Sequence, residues 1–353
     1  MRSLHTFLSL LVGLVLVGLW SCHKPVPPPA KLTHGAELYG RMCAVCHGAN
    51  GEGYKADNAP RLAQPDFLAS VSDQYLRDVI KNGRTGTTMS AWSKDRGGPL
   101  SPEEVEQVIT FLRTWAKGPR VTLDERPLTG DVARGSNTYA RECFKCHGAR
   151  GTGGPNIHIG EPQLVLSASN GFFRYAIKNG RNGTLMPAFR ATLADADIED
   201  VTTLLREWGA PTPPPPPPVP PAPLELGPVP LNPKGADAVG FNVWPKAATK
   251  VAVVHAQLAR GARMVLLDAR APSDYMNQHI AGAVSVPFYD PDAYFPKLPK
   301  SSWLVCYCAC PHAESGQLAT KLLAAGFKKV TVLDEGIRVW AEQKFPISTG
   351  DKP

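Results

Sequence analysis

A fourteen-residue, almost wholly apolar stretch runs from Phe7 to Trp20, with Arg2 as the only strong positive charge before it. It falls short of the roughly 20 residues a membrane span needs, so it reads as a signal peptide. Two later segments carry a helical period. After Ser101-Pro102-Glu103-Glu104, the residues Val105, Val108, Ile109, Leu112 and Trp115 recur at helical spacing, and Ile198, Val201, Leu204, Leu205 and Trp208 do the same further on. Each pattern predicts a helix with one face buried. The first also has a serine N-cap, a proline at the first helical position and a capping-box glutamate. From Pro211 to Pro230 the periodicity stops: 12 of 20 residues are proline, Pro213 to Pro218 without a break. Such a stretch forms neither ladder nor helix and extends as polyproline II, a spacer or a ligand for a proline-binding partner. Beyond it, short apolar runs predict strands at Met264–Asp268, Trp303–Cys308 and Val330–Leu333, with a helix from Ser315 to Ala325 that stops at Gly326. Strands alternating with helices imply an α/β domain with a parallel sheet.

Composition narrows the class. A chain of 353 residues holds two or three domains, and 43% hydrophobic with 20% charged residues excludes wholesale disorder and a polytopic membrane protein. The net charge of +7 is spread along the chain, so no segment looks like a nucleic-acid arm and no nucleic-acid partner is expected. The eight cysteines fall into one single (Cys22), two pairs (Cys43 and Cys46, Cys143 and Cys146) and a triplet (Cys306, Cys308, Cys310). That clustering argues against a scattered disulfide framework. Leu19-Trp20-Ser21-Cys22 resembles a bacterial lipobox. The resemblance implies a lipid on Cys22 and an exported, membrane-anchored lipoprotein facing the periplasm or cell exterior; cleaved secretion and an uncleaved anchor are the alternatives, and all three export the chain.

The chain also repeats itself. Gly35-Ala-Glu-Leu-Tyr39-Gly-Arg-Met-Cys43-Ala-Val-Cys46-His47-Gly is matched by Gly135-Ser-Asn-Thr-Tyr139-Ala-Arg-Glu-Cys143-Phe-Lys-Cys146-His147-Gly, and Ile80-Lys-Asn-Gly-Arg84 by Ile177-Lys-Asn-Gly-Arg181. In Cys-x-x-Cys-His, two thiols on one helical turn add to the vinyl groups of a haem, and the next residue places an imidazole under the iron. Zinc binding would need a fourth ligand in each copy. A thioredoxin-like dithiol has no use for the histidine.

These residues resemble class I cytochromes c over about 33–117 and 128–209. The resemblance implies two all-α domains with crossing first and last helices, Gly35 and Tyr39 against Trp115 and Gly135 and Tyr139 against Trp208. It also implies two covalently attached haem c groups, held by Cys43, Cys46, Cys143 and Cys146, with iron on His47 and His147. Met89 and Met186 lie at equivalent places after the repeated arginines and match the family's distal methionine, although Met89 precedes Ser90 where Met186 precedes Pro187. His34 and His158 are the rival ligands. Met/His ligation raises the potential and leaves no open iron site, which suits electron transfer between a donor and an acceptor protein.

The last third resembles a single rhodanese domain across about 236–348. Leu267-Asp268-Ala-Arg270, Asp274-Tyr275, His279-Ile280-Ala-Gly282-Ala283, Cys306-Tyr307-Cys308 and Gly336-Ile337 carry the match. By that resemblance Cys308 accepts a sulfane sulfur as a persulfide, with Cys310 as a resolving thiol, while Asp268, Arg270 and His279 brace the fold. The loop departs from the family: it is one residue longer and puts Glu314, not arginine, before the helix-opening serine, where a carboxylate at the mouth would repel thiosulfate. A structural or docking module and a dithiol or metal switch remain alternatives. Cys306, two residues before Cys308 on a strand, is expected to be buried and inert. The expected organisation is a signal peptide at 1–21, a stalk at 22–32, cytochrome domains at 33–118 and 128–210, a proline-rich linker at 211–235 and the rhodanese-like domain at 236–350. Two functions compete: an electron carrier, and an enzyme that binds sulfane sulfur at Cys308 and passes electrons to the haems.

Overall fold

The computed structural model describes residues 30–54, 56, 58–84, 86–154, 156–209, 226, 229–309 and 312–353. Cys22 and Cys310, and with them the lipid and resolving-thiol expectations, lie outside the described residues, as do the signal peptide and most of the proline run.

The first copy runs through α1 (Ala30–Leu38), a π turn (Tyr39–Cys43), α2 (Ala44–His47), α3 (Pro65–Ser70), α4 (Asp73–Asn82) and α5 (Pro102–Arg113). The second follows the same plan with α6 (Val132–Glu142), α7 (Phe144–His147), α8 (Pro162–Ser167), α9 (Asn170–Asn179) and α10 (Asp195–Trp208). Helix α5 starts where its capping box predicts. The Ser101 hydroxyl accepts from the Glu104 amide at 3.2 Å, and the Glu104 carboxylate accepts from the Ser101 amide at 2.8 Å, so two orphan donors of the first turn are satisfied. Val105, Val108, Ile109 and Leu112 are buried, as are Ile198, Val201, Leu204 and Leu205 on α10.

In both copies the first helix crosses the last, and glycine makes the crossing close. A Cβ on Gly35 would strike the Gln107 carbonyl of α5, and one on Gly135 the Asp200 carbonyl of α10. One turn later the aromatic pairs meet edge to face, Tyr39 with Trp115 at 5.1 Å and Tyr139 with Trp208 at 4.8 Å.

The copies face each other through equivalent residues. Tyr75 of α4 stacks on Phe172 of α9 at 5.5 Å, and Phe67 lies edge-on to both. Arg84 reaches across to the fully buried Glu161 at 3.3 Å and donates to the His158 carbonyl. Glu161 also caps α8 by accepting from the amides of Gln163 and Leu164. From the other side, the Gln64 side chain donates to the Asn182 carbonyl and Asp66 accepts from the Asn182 amide.

The C-terminal part begins with α11 (Val251–Ala259). It continues through β1 (Met264–Asp268), α12 (Pro272–Asn277), β2 (His279–Ile280), β3 (Val284–Ser285), β4 (Trp303–Tyr307), α13 (Ala313–Ala324), β5 (Val330–Val332), α14 (Gly336–Glu342) and β6 (Ile347–Ser348). Strands β3, β1, β4 and β5 form a parallel sheet in that order, and β2 pairs antiparallel with β6. Every residue of β1 and β5 is buried, as expected of a parallel sheet covered on both faces. Helix α13 opens two residues earlier than its sequence pattern suggests, at Ala313, which moves Glu314 into its first turn.

Candidate functional site

Both Cys-x-x-Cys-His segments adopt one geometry. Cys43 caps the single-turn helix that carries Cys46 and His47, and Cys143 does the same for Cys146 and His147. The next residue has a positive φ in each copy, 81° at Gly48 and 71° at Gly148, a region open to glycine. The carbonyl released there accepts from Tyr39 at 2.6 Å and from Tyr139 at 2.8 Å. The tyrosine of the preceding element is therefore tied to the turn that carries the histidine.

His47 and His147 are buried. Nδ1 of His47 lies 2.9 Å from the Pro60 carbonyl and that of His147 lies 3.1 Å from the Ile157 carbonyl. A carbonyl only accepts, so Nδ1 carries the proton and Nε2 keeps its lone pair for a metal. Burial holds both imidazoles below their ordinary pKa, which favours the neutral form whose free nitrogen can ligate a metal. Burial also pushes the Cys43 thiol up to about 12 and the Cys143 thiol up to about 11, an apolar setting that suits a thioether better than a redox thiolate.

The distal loops match bond for bond. The Arg84 amide donates to the Met89 carbonyl at 2.9 Å and the Met89 amide to the Thr87 hydroxyl at 3.1 Å; Arg181, Met186 and Thr184 repeat these contacts at 3.0 and 3.1 Å. Met89 and Met186 are partly buried and pack against the apolar core. The rival His34 is instead turned to the surface, near the carboxylates of Glu37 at 3.4 Å and Glu104 at 3.6 Å. Among the described residues of the two copies, two buried guanidinium nitrogens, Arg61 Nε and Arg181 Nη1, have no hydrogen-bond partner; Arg263 Nε of the C-terminal part is a third. Burial pulls the Arg181 group down to about 10. Orphan cationic donors of this kind fit the carboxylates of a haem, and neither Arg61 nor Arg181 was singled out from the sequence; for Arg181 the repeated Ile-Lys-Asn-Gly-Arg was the available signal.

In the C-terminal part Cys308 follows β4 and is only 1% exposed, with its sulfur 3.3 Å from the Ser315 hydroxyl of α13. Its carbonyl accepts from the Ile337 amide, and Gly336, at φ 68°, passes so close that a Cβ would strike that carbonyl. Cys306 is fully buried and burial drives its thiol well above the usual range, in line with its expected inertness. Asp268 and Arg270 form a buried bidentate pair at 2.6 and 2.9 Å, and Arg270 also donates to the Gln278 carbonyl. His279 is wedged between the carbonyls of Tyr275 and Lys352 and stacks on the Tyr275 ring. These are braces, as expected.

Glu314 differs from expectation. Instead of standing at an open mouth it is 6% exposed in the first turn of α13, and burial, with Cys308 and Asp274 nearby, lifts its carboxyl well above the usual range. Burial thus favours the neutral carboxyl over the repelling charge that an open mouth would carry. His312, the one loop residue able to carry positive charge, points to Asp334 at 2.9 Å.

The cbb3-type cytochrome c oxidase subunit III family matches residues 30–112 and 130–205, and the rhodanese-like domain family matches 251–343. The chain is a tandem cytochrome c joined to a rhodanese-like domain. Among relatives of this cytochrome–rhodanese chain, the cbb3-type cytochrome c oxidase subunit CcoP of Azospirillum brasilense is 28% identical over 193 residues, covering 50% of this chain and 61% of the relative. Subunit FixP of a Bradyrhizobium species is 27% identical over 187 residues, covering 50% and 60%. The cytochrome–rhodanese chain thus spans about three fifths of the length of the curated relatives it matches. The rhodanese-like domain of an Anabaena protein is 29% identical, covering 29% of this chain and 78% of that structure, with a TM-score of 0.27. Among the described residues no helix is long and apolar enough to cross a membrane.

Proposed function

We propose that this chain is an exported electron carrier holding two covalently attached haem c groups, one on Cys43 and Cys46 and one on Cys143 and Cys146, each with a histidine (His47, His147) and a methionine (Met89, Met186) as axial ligands. The observation that carries this reading is the duplicated turn in which a buried histidine gives its Nδ1–H to a backbone carbonyl and keeps Nε2 for iron. The haem iron supplies one-electron redox chemistry between ferric and ferrous states. The chain's own residues bury it, orient the imidazoles and offer Arg61 and Arg181 to its carboxylates. Because both axial positions are filled by protein in this reading, substrate has no place at the iron and the partners are redox proteins. The relatives are named as oxidase subunits, which supports a respiratory complex as donor or acceptor, and a lipid on Cys22 would hold the chain at a membrane facing the periplasm or cell exterior. The pyridine haemochrome of the purified full chain is expected to give two haems per polypeptide. In Cys43→Ala/Cys46→Ala it is expected to give one; a count of one in the wild type would sink the reading.

A second reading concerns Cys308, and one contact favours it: the helix bearing Cys46 and His47 packs on α13, the helix that opens after Cys308. In this reading the Cys308 thiolate and a hydrosulfide ion join in a new S–S bond as the hydrosulfide S–H bond breaks, its proton goes to solvent, and the two electrons released would reduce two ferric haems by one electron each. Oxidised protein mixed with sulfide is then expected to show haem reduction that is lost in Cys308→Ala. Equal rates in both proteins, or none in either, would leave the electron-carrier reading alone.

A further inference from the structure

The first cytochrome domain touches the rhodanese-like domain through the segment that carries Met89. The Ser90 hydroxyl donates to the Asp274 carboxylate at 2.5 Å, and the Ser273 hydroxyl donates to the Ala91 carbonyl at 3.0 Å. Next in sequence, Trp92 lays its ring 5.7 Å from that of Tyr289, whose carbonyl accepts from Arg41 at 3.4 Å. Ser90 and Trp92 are 2% and 5% exposed, and Tyr289 is 8% exposed. Residues with so little exposure are not part of a free surface, so this is a packed joint.

The far side of the joint is the Cys308 site. Asp274 lies on α12 beside the Asp268–Arg270 pair, and its carboxyl is held above the usual range by burial. Glu314 precedes Ser315, whose hydroxyl lies 3.3 Å from the Cys308 sulfur, and Lys321 of the same helix donates to the carbonyl of Phe288, next to Tyr289, at 2.9 Å. The near side is the first cytochrome domain's own site: Ser90 follows Met89 directly, and α2 with Cys46 and His47 rests on α13. The second cytochrome domain holds Pro187 where the first holds Ser90, so the corresponding loop lacks the hydroxyl that makes the bridge. Proline at that place has no donor at all.

We propose that the segment Met89–Trp92 serves both sites, as the distal loop of the first cytochrome domain and as the cover of the Cys308 site, so that the rhodanese-like domain communicates with the first cytochrome domain and not with the second. Ser90 and Trp92 are positioning residues: they act on Cys308 through Asp274 and Tyr289. This deepens the second reading above, because it names which cytochrome domain meets the sulfur site, but the cover itself does not depend on whether Cys308 carries sulfur.

The test uses the full haem-loaded chain after mild reduction, with the rate of Cys308 alkylation by iodoacetamide followed by peptide mass spectrometry. Loss of a hydrogen bond to a carboxylate is expected to raise the rate about tenfold in Ser90→Ala. Arg41→Ala, which removes a peripheral contact, raises it less, and Trp92→Ala more. Lys178→Ala, on the exposed face of the second cytochrome domain, leaves it unchanged. If Trp92→Ala does not fold, the other two variants decide. As a second measurement, alkylated Cys308 is expected to shift the reduction potential of one centre only, the one lost in Cys43→Ala/Cys46→Ala. Unchanged alkylation in folded Ser90→Ala and Arg41→Ala, or a potential shift confined to the second cytochrome domain, overturns the proposal. Failure of sulfide to reduce the haems while the alkylation rates behave as stated would remove the sulfur reading and leave the cover in place.

Discussion

Met186→Ala is expected to lower the reduction potential of the second cytochrome domain and to abolish its methionine-to-iron absorption feature, while the first domain keeps its own. On the proposed ligation the thioether is the ligand that holds the potential high, and axial ligand sets span roughly 0.8 V. The loop around the methionine survives the change, since its bonds run through the backbones of Arg181 and Met186 and the hydroxyl of Thr184. The effect is therefore electronic rather than a local unfolding. Met89→Ala is expected to do the same in the first domain. A redox titration with visible spectroscopy reads both. Retained spectra and potentials would point to His158 in the second domain and to His34 in the first. His34 would first have to leave Glu37 and Glu104.

Asp268→Ala is expected to cost the rhodanese-like domain about 3–5 kcal/mol, a large part of the 5–15 kcal/mol typical of a domain. The carboxylate is fully buried and accepts two side-chain bonds from Arg270 and one from its amide. Removing it strands a buried guanidinium with the Gln278 carbonyl as its remaining hydrogen-bond acceptor. Removing both charges, as in Asp268→Ala/Arg270→Met, is expected to recover part of the loss, because the uncompensated charge goes with it. Differential scanning calorimetry of the full chain should resolve this as a lowered rhodanese transition with the cytochrome transitions unmoved. A single variant no less stable than the wild type would mean that the pair contributes nothing.

Much of the fold is readable along the chain because its signals are local. The Ser101 capping box acts within four residues, the periodic apolar faces of α5 and α10 act within one helix, and Cys-x-x-Cys-His acts within one turn. Glu314 shows where local reading stops. Its place one residue before Ser315 is visible in sequence, but whether it repels an anion depends on burial, and α13 packs on β4 and on the chain-distant β5 of the sheet. The orphan donors of Arg61 and Arg181 were equally invisible, since an unpaired nitrogen is a property of every neighbour at once.

The sequence by itself determined the duplication, the Cys-x-x-Cys-His chemistry, the helical and the parallel-sheet domains and the three cysteines on which the enzyme question turns. Each of these is encoded by residue type at fixed short spacing. Only the tertiary structure decided how the parts meet: Tyr75 on Phe172, Arg84 on Glu161, and Ser90 on Asp274 across 184 positions of chain. Contacts between distant surfaces depend on shape and on the pairing of buried polar groups, and neither leaves a period or a motif in the sequence.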